Sequence, residues 1–287
     1  MELLIGGLAI GSVYALLAIG VVLVFRATGV VNFAQGEVMM VSAYAYVLVS
    51  DRTDSALLQL LAAVLAGAAG GLLCYLVTSV LLPASSRISQ VIGSISLLIL
   101  LQAGARYVFT DDPLRAEAWL FGDLDVTVLG ATVAATSLLT LGAAIFATVA
   151  LFYWQGVTVY GRAVRAVAED PWRAALSGIH VARTLATSWA VGGALAGVAA
   201  VLVSPVVGVF PTMGVDVIFP AFIAAVLGGF SSILGALAGG LAIGLIQTYA
   251  VATFGGSFKD AVMFAVLSGV LLWRPTGIFA ARGARRV

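Results

Sequence analysis

The sequence predicts an all-α fold: a polytopic transmembrane helical bundle of about eight to ten spans, nine being preferred. Three observations carry this. Hydrophobic residues fill 62% of the 287 positions and charged residues only 9%, against roughly 25% charged in a soluble domain. Uncharged runs recur near the ~20 residues that a helix needs to cross a ~30 Å hydrocarbon core. Clusters of charged or turn-forming residues separate these runs.

The separators, in order, are RATG (26–29), SDRTD (50–54), PASSR (83–87), TDDPLRAEAW (110–119), the polar stretch around 156–183, PTMGVD (211–216), GGSFKD (255–260) and WRPTG (273–277). The spans they leave lie near 3–25, 33–50, 56–82, 88–109, 127–153, 184–207, 217–230, 233–253 and 259–273. The run 217–253 is long for one helix and carries GGFSS (228–232) at its middle, so it reads as two short spans around a turn. Pro205, Pro211 and Pro220 are expected to mark breaks near the outer ends of the sixth and seventh spans. The first run lacks a basic n-region and a small-x-small cleavage site, and reads as a retained helix.

Charge orients the bundle. With the amino end outside, the inner face receives Arg26, Arg87, Arg162, Arg165, Arg173, Arg183, Arg274, Arg282, Arg285 and Arg286, which is ten of the fourteen basic residues. Arg52, Arg106, Arg115 and Lys259 lie outside. Basic residues are retained on the cytoplasmic side during insertion, so nine spans with the carboxy end inside satisfy the rule. A single span over 217–253 would reverse the last arginines.

Glycine occurs 33 times. GGLAIG (6–11), GGALAG (192–197) and GALAGGLAIG (235–244) place small residues at four-residue intervals, a pattern that lets helix backbones approach closely. Cys74 lies mid-helix as a small buried hydrophobe, without a second cysteine for a disulfide. His180 is the single histidine, so no His/Cys metal cluster is available.

The sizeable cytoplasmic segment is 156–183, GVTVYGRAVRAVAEDPWRAALSGIHVAR. It predicts a helix near 160–168, a second helix capped by Asp170 with Pro171 at its first position, and Gly178 as the left-handed residue that ends it. Its physics fits two readings equally: an interfacial elbow whose arginines obey the charge rule, or a docking knob for a soluble partner.

No catalytic centre emerges. There is no GxxxxGK[ST], and the only lysine, Lys259, lies on the outer side, so the chain is not itself a P-loop ATPase. HExxH and GxSxG are also absent.

The intramembrane polar groups concentrate in GVVNFAQGEVMM (29–40). Asn32, Gln35 or Gly36, Met39 and Ala43 share one helical face; Glu37 lies on an adjoining face with Phe33, Val41 and Tyr44. Glu37 falls roughly 9 Å inside the cytoplasmic edge of the core, counting 1.5 Å per residue. An intramembrane carboxyl must face protein or water. Glu37 is therefore either a site or a pin, hydrogen-bonded to a neighbouring helix or paired with Arg26. Gly29 and Gly36 bracket the polar run, which also fits a helix broken where backbone lines a cavity. Gln90, Ser94, Ser96, Gln102, Gln247 and Thr248 are scattered through other spans, where single polar residues act mainly as interhelical glue.

GLAIGSVYALLAIGVVLVF followed by GVVNFAQGEVMM resembles the amino-terminal signature of LivH-type permeases, the membrane subunits of branched-chain amino acid ABC importers. The likeness continues through YGRAVRAVAEDPWRAALSGI and FPAFIAAVLGGFSSILGALAGGLAIGLIQ to FKDAVMFAVLSGVLLWRPTGIF, in the family's order and over nearly the whole chain. The resemblance implies one permease domain over 1–287 in a bacterial inner membrane. It implies a second related permease (a heterodimer rather than a homodimer), two cytoplasmic ATPases and an extracytoplasmic binding protein. No cofactor is expected in this chain, ATP and Mg being held by the ATPases. It implies ATPase coupling at 156–183, through Arg165, Ala168, Glu169, Asp170, Ala174, Ala175 and Gly178, and leaves Asn32, Gln35, Gly36, Glu37, Ser94 and Gln247 as candidates for the substrate path. Relatives carry histidine where Gln35 stands, and glutamine does not titrate there. The tail ARGARRV departs from the family pattern and reads as a solvated anchor.

Three functions compete at this stage. An ATP-driven importer permease for branched-chain or hydrophobic amino acids needs the ordered elbow; urea, amides or aromatic acids are alternative cargo of the same class. A stand-alone secondary transporter calls for more buried ionisable groups than one glutamate. A membrane scaffold needs no intramembrane polar cluster.

Overall fold

A computed structural model describes residues 1–82, 87–109, 111–116, 124–128, 131–230, 232–274 and 277. The helices are α1 (Glu2–Thr28), α2 (Gln35–Ser50), α3 (Ala56–Tyr75, prolonged by a π-helical turn Leu76–Leu81), α4 (Arg87–Val108), α5 (Ala135–Val157), α6 (Val159–Glu169), α7 (Pro171–Leu176), α8 (Val181–Val207), α9 (Met213–Gly228), α10 (Ile233–Phe254) and α11 (Lys259–Trp273, entered through a 3₁₀ turn Gly256–Phe258). Among the described residues, seven helical segments are long and apolar enough to cross a membrane. The shorter α2 and α9 lie where two further spans are expected. Part of PASSR, part of TDDPLRAEAW and the tail ARGARRV lie outside the described residues.

Several boundaries differ from expectation, each for a local reason. The first helix runs on through Arg26 to Thr28, because the residue that stops it is Gly29, left-handed at φ 70°. The fifth span begins at Ala135 instead of 127. Asp125–Val128 pairs antiparallel with Ala131–Ala134 as a short hairpin, β1 and β2, in keeping with the strand preference of alternating Val and Thr. The PTMGVD break shrinks to Pro211 and Thr212, and α9 starts at Met213. Pro205 and Pro220 do not break their helices but lie inside α8 and α9. Packed neighbours in a bundle make an internal proline tolerable.

The core is built on glycine crossings. A Cβ on Gly11 would meet the Gly240 carbonyl at 2.8 Å and Leu241 Cα at 2.9 Å, so α1 and α10 touch backbone to backbone. A Cβ on Gly197 would lie 2.8 Å from Val64 Cα, and one on Gly67 3.0 Å from Gly197 N, so α8 and α3 do the same. The three glycine stripes thus serve packing where no hydrophobic effect distinguishes helix from lipid.

These two crossings are counterparts. The segment α1–α2–α3 and the segment α8–α9–α10 repeat one design: 27 residues, a glycine-led break, then 16 residues, then a long helix. Five helices of the bundle, α1 to α5, run from the start of one copy to the start of the other, an odd number, which is the layout of inverted repeats. At 16 residues, α2 and α9 are each about 24 Å long, short of the ~30 Å core.

Candidate functional site

The two broken segments meet. Gly36 in the first turn of α2 lies against Gly214 in the first turn of α9; a Cβ on Gly214 would fall 2.7 Å from the Gly36 carbonyl and 3.0 Å from Glu37 N. The amino ends of both short helices therefore converge inside the bundle.

The first break is held by side chains. Asn32 Oδ1 accepts from Ala34 N (3.1 Å), and Asn32 Nδ2 donates to Gln35 Oε1 (3.1 Å). Gln35 Nε2 in turn donates to the Gly192 carbonyl of α8 at 2.8 Å. Gly20 of α1 makes room for that amide, since a Cβ there would stand 2.8 Å from Gln35 Nε2. Phe33 N donates to Ser94 Oγ of α4 (3.3 Å), and the Ser94 hydroxyl donates to the Val91 carbonyl (2.8 Å). Asn32, Gln35 and Ser94 are all buried. The second break is held by backbone instead: Leu114 and Val209 exchange N–H···O bonds of 2.9 and 3.0 Å.

Glu37 differs from these neighbours. It is 0% exposed, and neither carboxylate oxygen has a hydrogen-bond partner. The pairing with Arg26 that the pin reading allowed does not form. Arg26 Nη1 donates to Gln155 Oε1 of α5 at 3.0 Å, and Arg165 of α6 donates to the Gln155 carbonyl. Gln247 stands apart from the cluster; its Oε1 accepts from Tyr14 of α1 at 2.9 Å, six residues further toward the amino end of that helix than Gly20.

The 156–183 segment folds as two helices, the first one residue longer at each end than expected and the second starting at Pro171 as expected. Thr158 caps α6 by accepting from Gly161 N at 3.0 Å. Asp170 caps α7 by accepting from Trp172 N and Arg173 N at 3.0 Å each, and pairs with Arg173 Nε at 3.1 Å. Gly178 is left-handed at φ 81°. Arg165, Ala168, Glu169, Ala175 and Gly178 are exposed, Asp170 is half-buried, and Ala174 is buried against the bundle. Ala174 therefore offers no side-chain surface, whereas Trp172 (74% exposed) and Leu176 (73%) do. Sequence reasoning missed this apolar pair, although its i, i+4 spacing on a polar elbow was visible. It also missed Gly214 and Val209. The parallel between GVVNFAQGEV (29–38) and GVFPTMGVDV (208–217) was the available signal.

Comparison with known proteins agrees with this architecture. The family described as branched-chain amino acid transport system / permease component matches residues 3–271. The high-affinity branched-chain amino acid transport system permease protein BraD of Pseudomonas aeruginosa is 35% identical, over 97% of this chain and 95% of its own length. The protein of corresponding description named LivH in Salmonella typhimurium is 33% identical, over 97% and 94%. A probable branched-chain amino acid permease named LivH, from Methanocaldococcus jannaschii, is 30% identical over 95% and 90%.

Proposed function

This chain belongs to the family of permease components of branched-chain amino acid transport systems, and from that premise we propose that it is one membrane subunit of an ATP-driven importer of branched-chain or related hydrophobic amino acids. The observation that carries the reading is the pair of short helices, α2 and α9, whose broken amino ends meet inside the bundle. Inverted repeats with interrupted helices place a transport site at the repeat interface. A packed scaffold has no use for that arrangement.

In this reading the amino end is outside and the carboxy end cytoplasmic, in an inner membrane. A second, related permease completes the path, two ATPases bind ATP and Mg below, and an extracytoplasmic protein delivers cargo. The elbow α6–α7 docks on an ATPase through its exposed groups, among them Arg165, Ala168, Glu169, Ala175 and Gly178. Arg165 and Arg26 both bond to Gln155, which links the elbow to the end of α1 and so to the first break. Motion of the elbow on ATP-driven closure reaches α2 by that route. Asn32, Gln35, Gly36 and Ser94 shape the break beside the path.

Reconstitution with the partner permease, ATPases and binding protein tests the reading. ATP-dependent leucine uptake is expected, and uptake that proceeds without the ATPases overturns it. Replacing Glu169 and Asp170 by arginine is expected to uncouple ATP hydrolysis from uptake; unchanged ATPase association and uptake would remove the elbow from the coupling route.

A further inference from the structure

One face of α2 carries Glu37, Val41, Tyr44 and Leu48, at steps of four, three and four residues, and Phe33 lies in the turn that leads into the helix. Both ends of the buried part of this face are covered by aromatic rings from other helices. Phe33 packs on Phe222 of α9, ring centroids 5.2 Å apart. Tyr44 stacks on Phe109, just past α4, at 3.9 Å. Along the chain Glu37 lies between the two ring pairs, in the first turn of α2. Beyond Tyr44 the face opens, Leu48 being 44% exposed.

We infer that Glu37 receives the α-ammonium group of the cargo, and that Phe33–Phe222 and Tyr44–Phe109 are the inner and outer covers of that position; the inference rests on the transport reading above. The polar side chains of the break are already committed, and the Tyr44 hydroxyl, itself without a partner, brings no formal charge. Asn32, Gln35 and Ser94 hold the break through bonds to one another, to Gly192 and to the backbone. The Glu37 carboxyl alone offers two buried acceptor oxygens without a donor. An uncompensated buried carboxylate is costly, and the cost falls when a cation with hydrogen-bond donors meets it. A primary ammonium brings three N–H donors and one positive charge. A multivalent metal ion would need further acidic or imidazole ligands, and no group of three His, Cys, Asp or Glu residues is assembled among the described residues. The remainder of the face, aromatic and aliphatic, suits a branched hydrocarbon side chain. Aromatic covers above and below a carboxyl exclude water from the pair while one side opens at a time.

The test uses the reconstituted importer and labelled leucine. Without ATP-dependent uptake by the wild-type assembly, the transport reading itself fails. Where the wild type transports, Glu37→Gln, which keeps shape and removes charge, is expected to lower uptake at least tenfold. The assembly should still form and hydrolyse ATP when the binding protein is added, and Glu37→Asp should retain a measurable share of uptake. Uptake by Glu37→Gln within twofold of wild type overturns the inference. Loss of ATP hydrolysis together with uptake also overturns it, because that marks a bracing role. Should the glutamine variant fail to assemble, Glu37→Cys in a Cys74→Ala background provides a second reading. A cationic thiol reagent is expected to label it in one nucleotide state, more slowly with leucine present; no labelling in any state counts against the site.

Discussion

Substituting alanine for Gly214 probes the joint between the two repeats directly. The added Cβ would stand 2.7 Å from both the carbonyl carbon and oxygen of Gly36 and 3.0 Å from Glu37 N. All three atoms are backbone, so no side chain can rotate away. Restoring ordinary contact at about 3.4 Å requires α9 to withdraw from α2 by roughly 0.7 Å, and overpacking of this kind costs about 1–3 kcal/mol. At ~1.4 kcal/mol per factor of ten, the folding equilibrium falls roughly 5- to 150-fold. Gly142→Ala is the control, because a Cβ there meets nothing within 4 Å and alanine has the better helix propensity by about 1 kcal/mol. Thermal unfolding in detergent, followed by size-exclusion chromatography, should show Gly214→Ala melting below wild type and Gly142→Ala at or above it. Equal melting temperatures for Gly214→Ala and wild type would refute the close approach of α2 and α9.

Two further substitutions separate local roles. Asn32→Ala leaves Ala34 N–H and Gln35 Oε1 without their partners, a loss of about 1–3 kcal/mol; the same melting assay should register it, and an unshifted curve would deny Asn32 its bracing role. Asp170→Ala removes the cap of α7 at a cost of about 1 kcal/mol, whereas Asp170→Asn keeps a capping oxygen and loses only the exposed pair with Arg173, worth about 0–1 kcal/mol. Limited proteolysis of the elbow should accelerate for the alanine variant and stay near wild type for the asparagine variant.

The spans were legible because hydropathy and punctuation are local properties. Apolar runs between charged clusters located nine helices, seven of them long and apolar enough to cross a membrane, and the split of 217–253 at GGFSS corresponds to Gly229, left-handed at φ 80° between α9 and α10. Asp170 and Gly178 announced the elbow by residue type alone. The misplaced boundaries share a cause, which is that helix ends follow backbone conformation more closely than polarity. Arg26 is polar yet helical, Pro220 is a breaker yet internal, and residues 127–134 were apolar enough to pass for the start of a span.

Composition and charge by themselves determined a membrane bundle and the region where polar groups collect. They left Glu37 undecided between site and pin, because a sequence does not say which helices touch. Which groups are partnered was decided by tertiary structure alone. Glycines far apart in the chain, such as Gly11 with Gly240 and Gly36 with Gly214, bring backbones together by van der Waals fit, and in lipid this close fit, rather than hydropathy, chooses the partners. Once those contacts formed, Asn32, Gln35 and Arg26 had their hydrogen bonds and Glu37 had none.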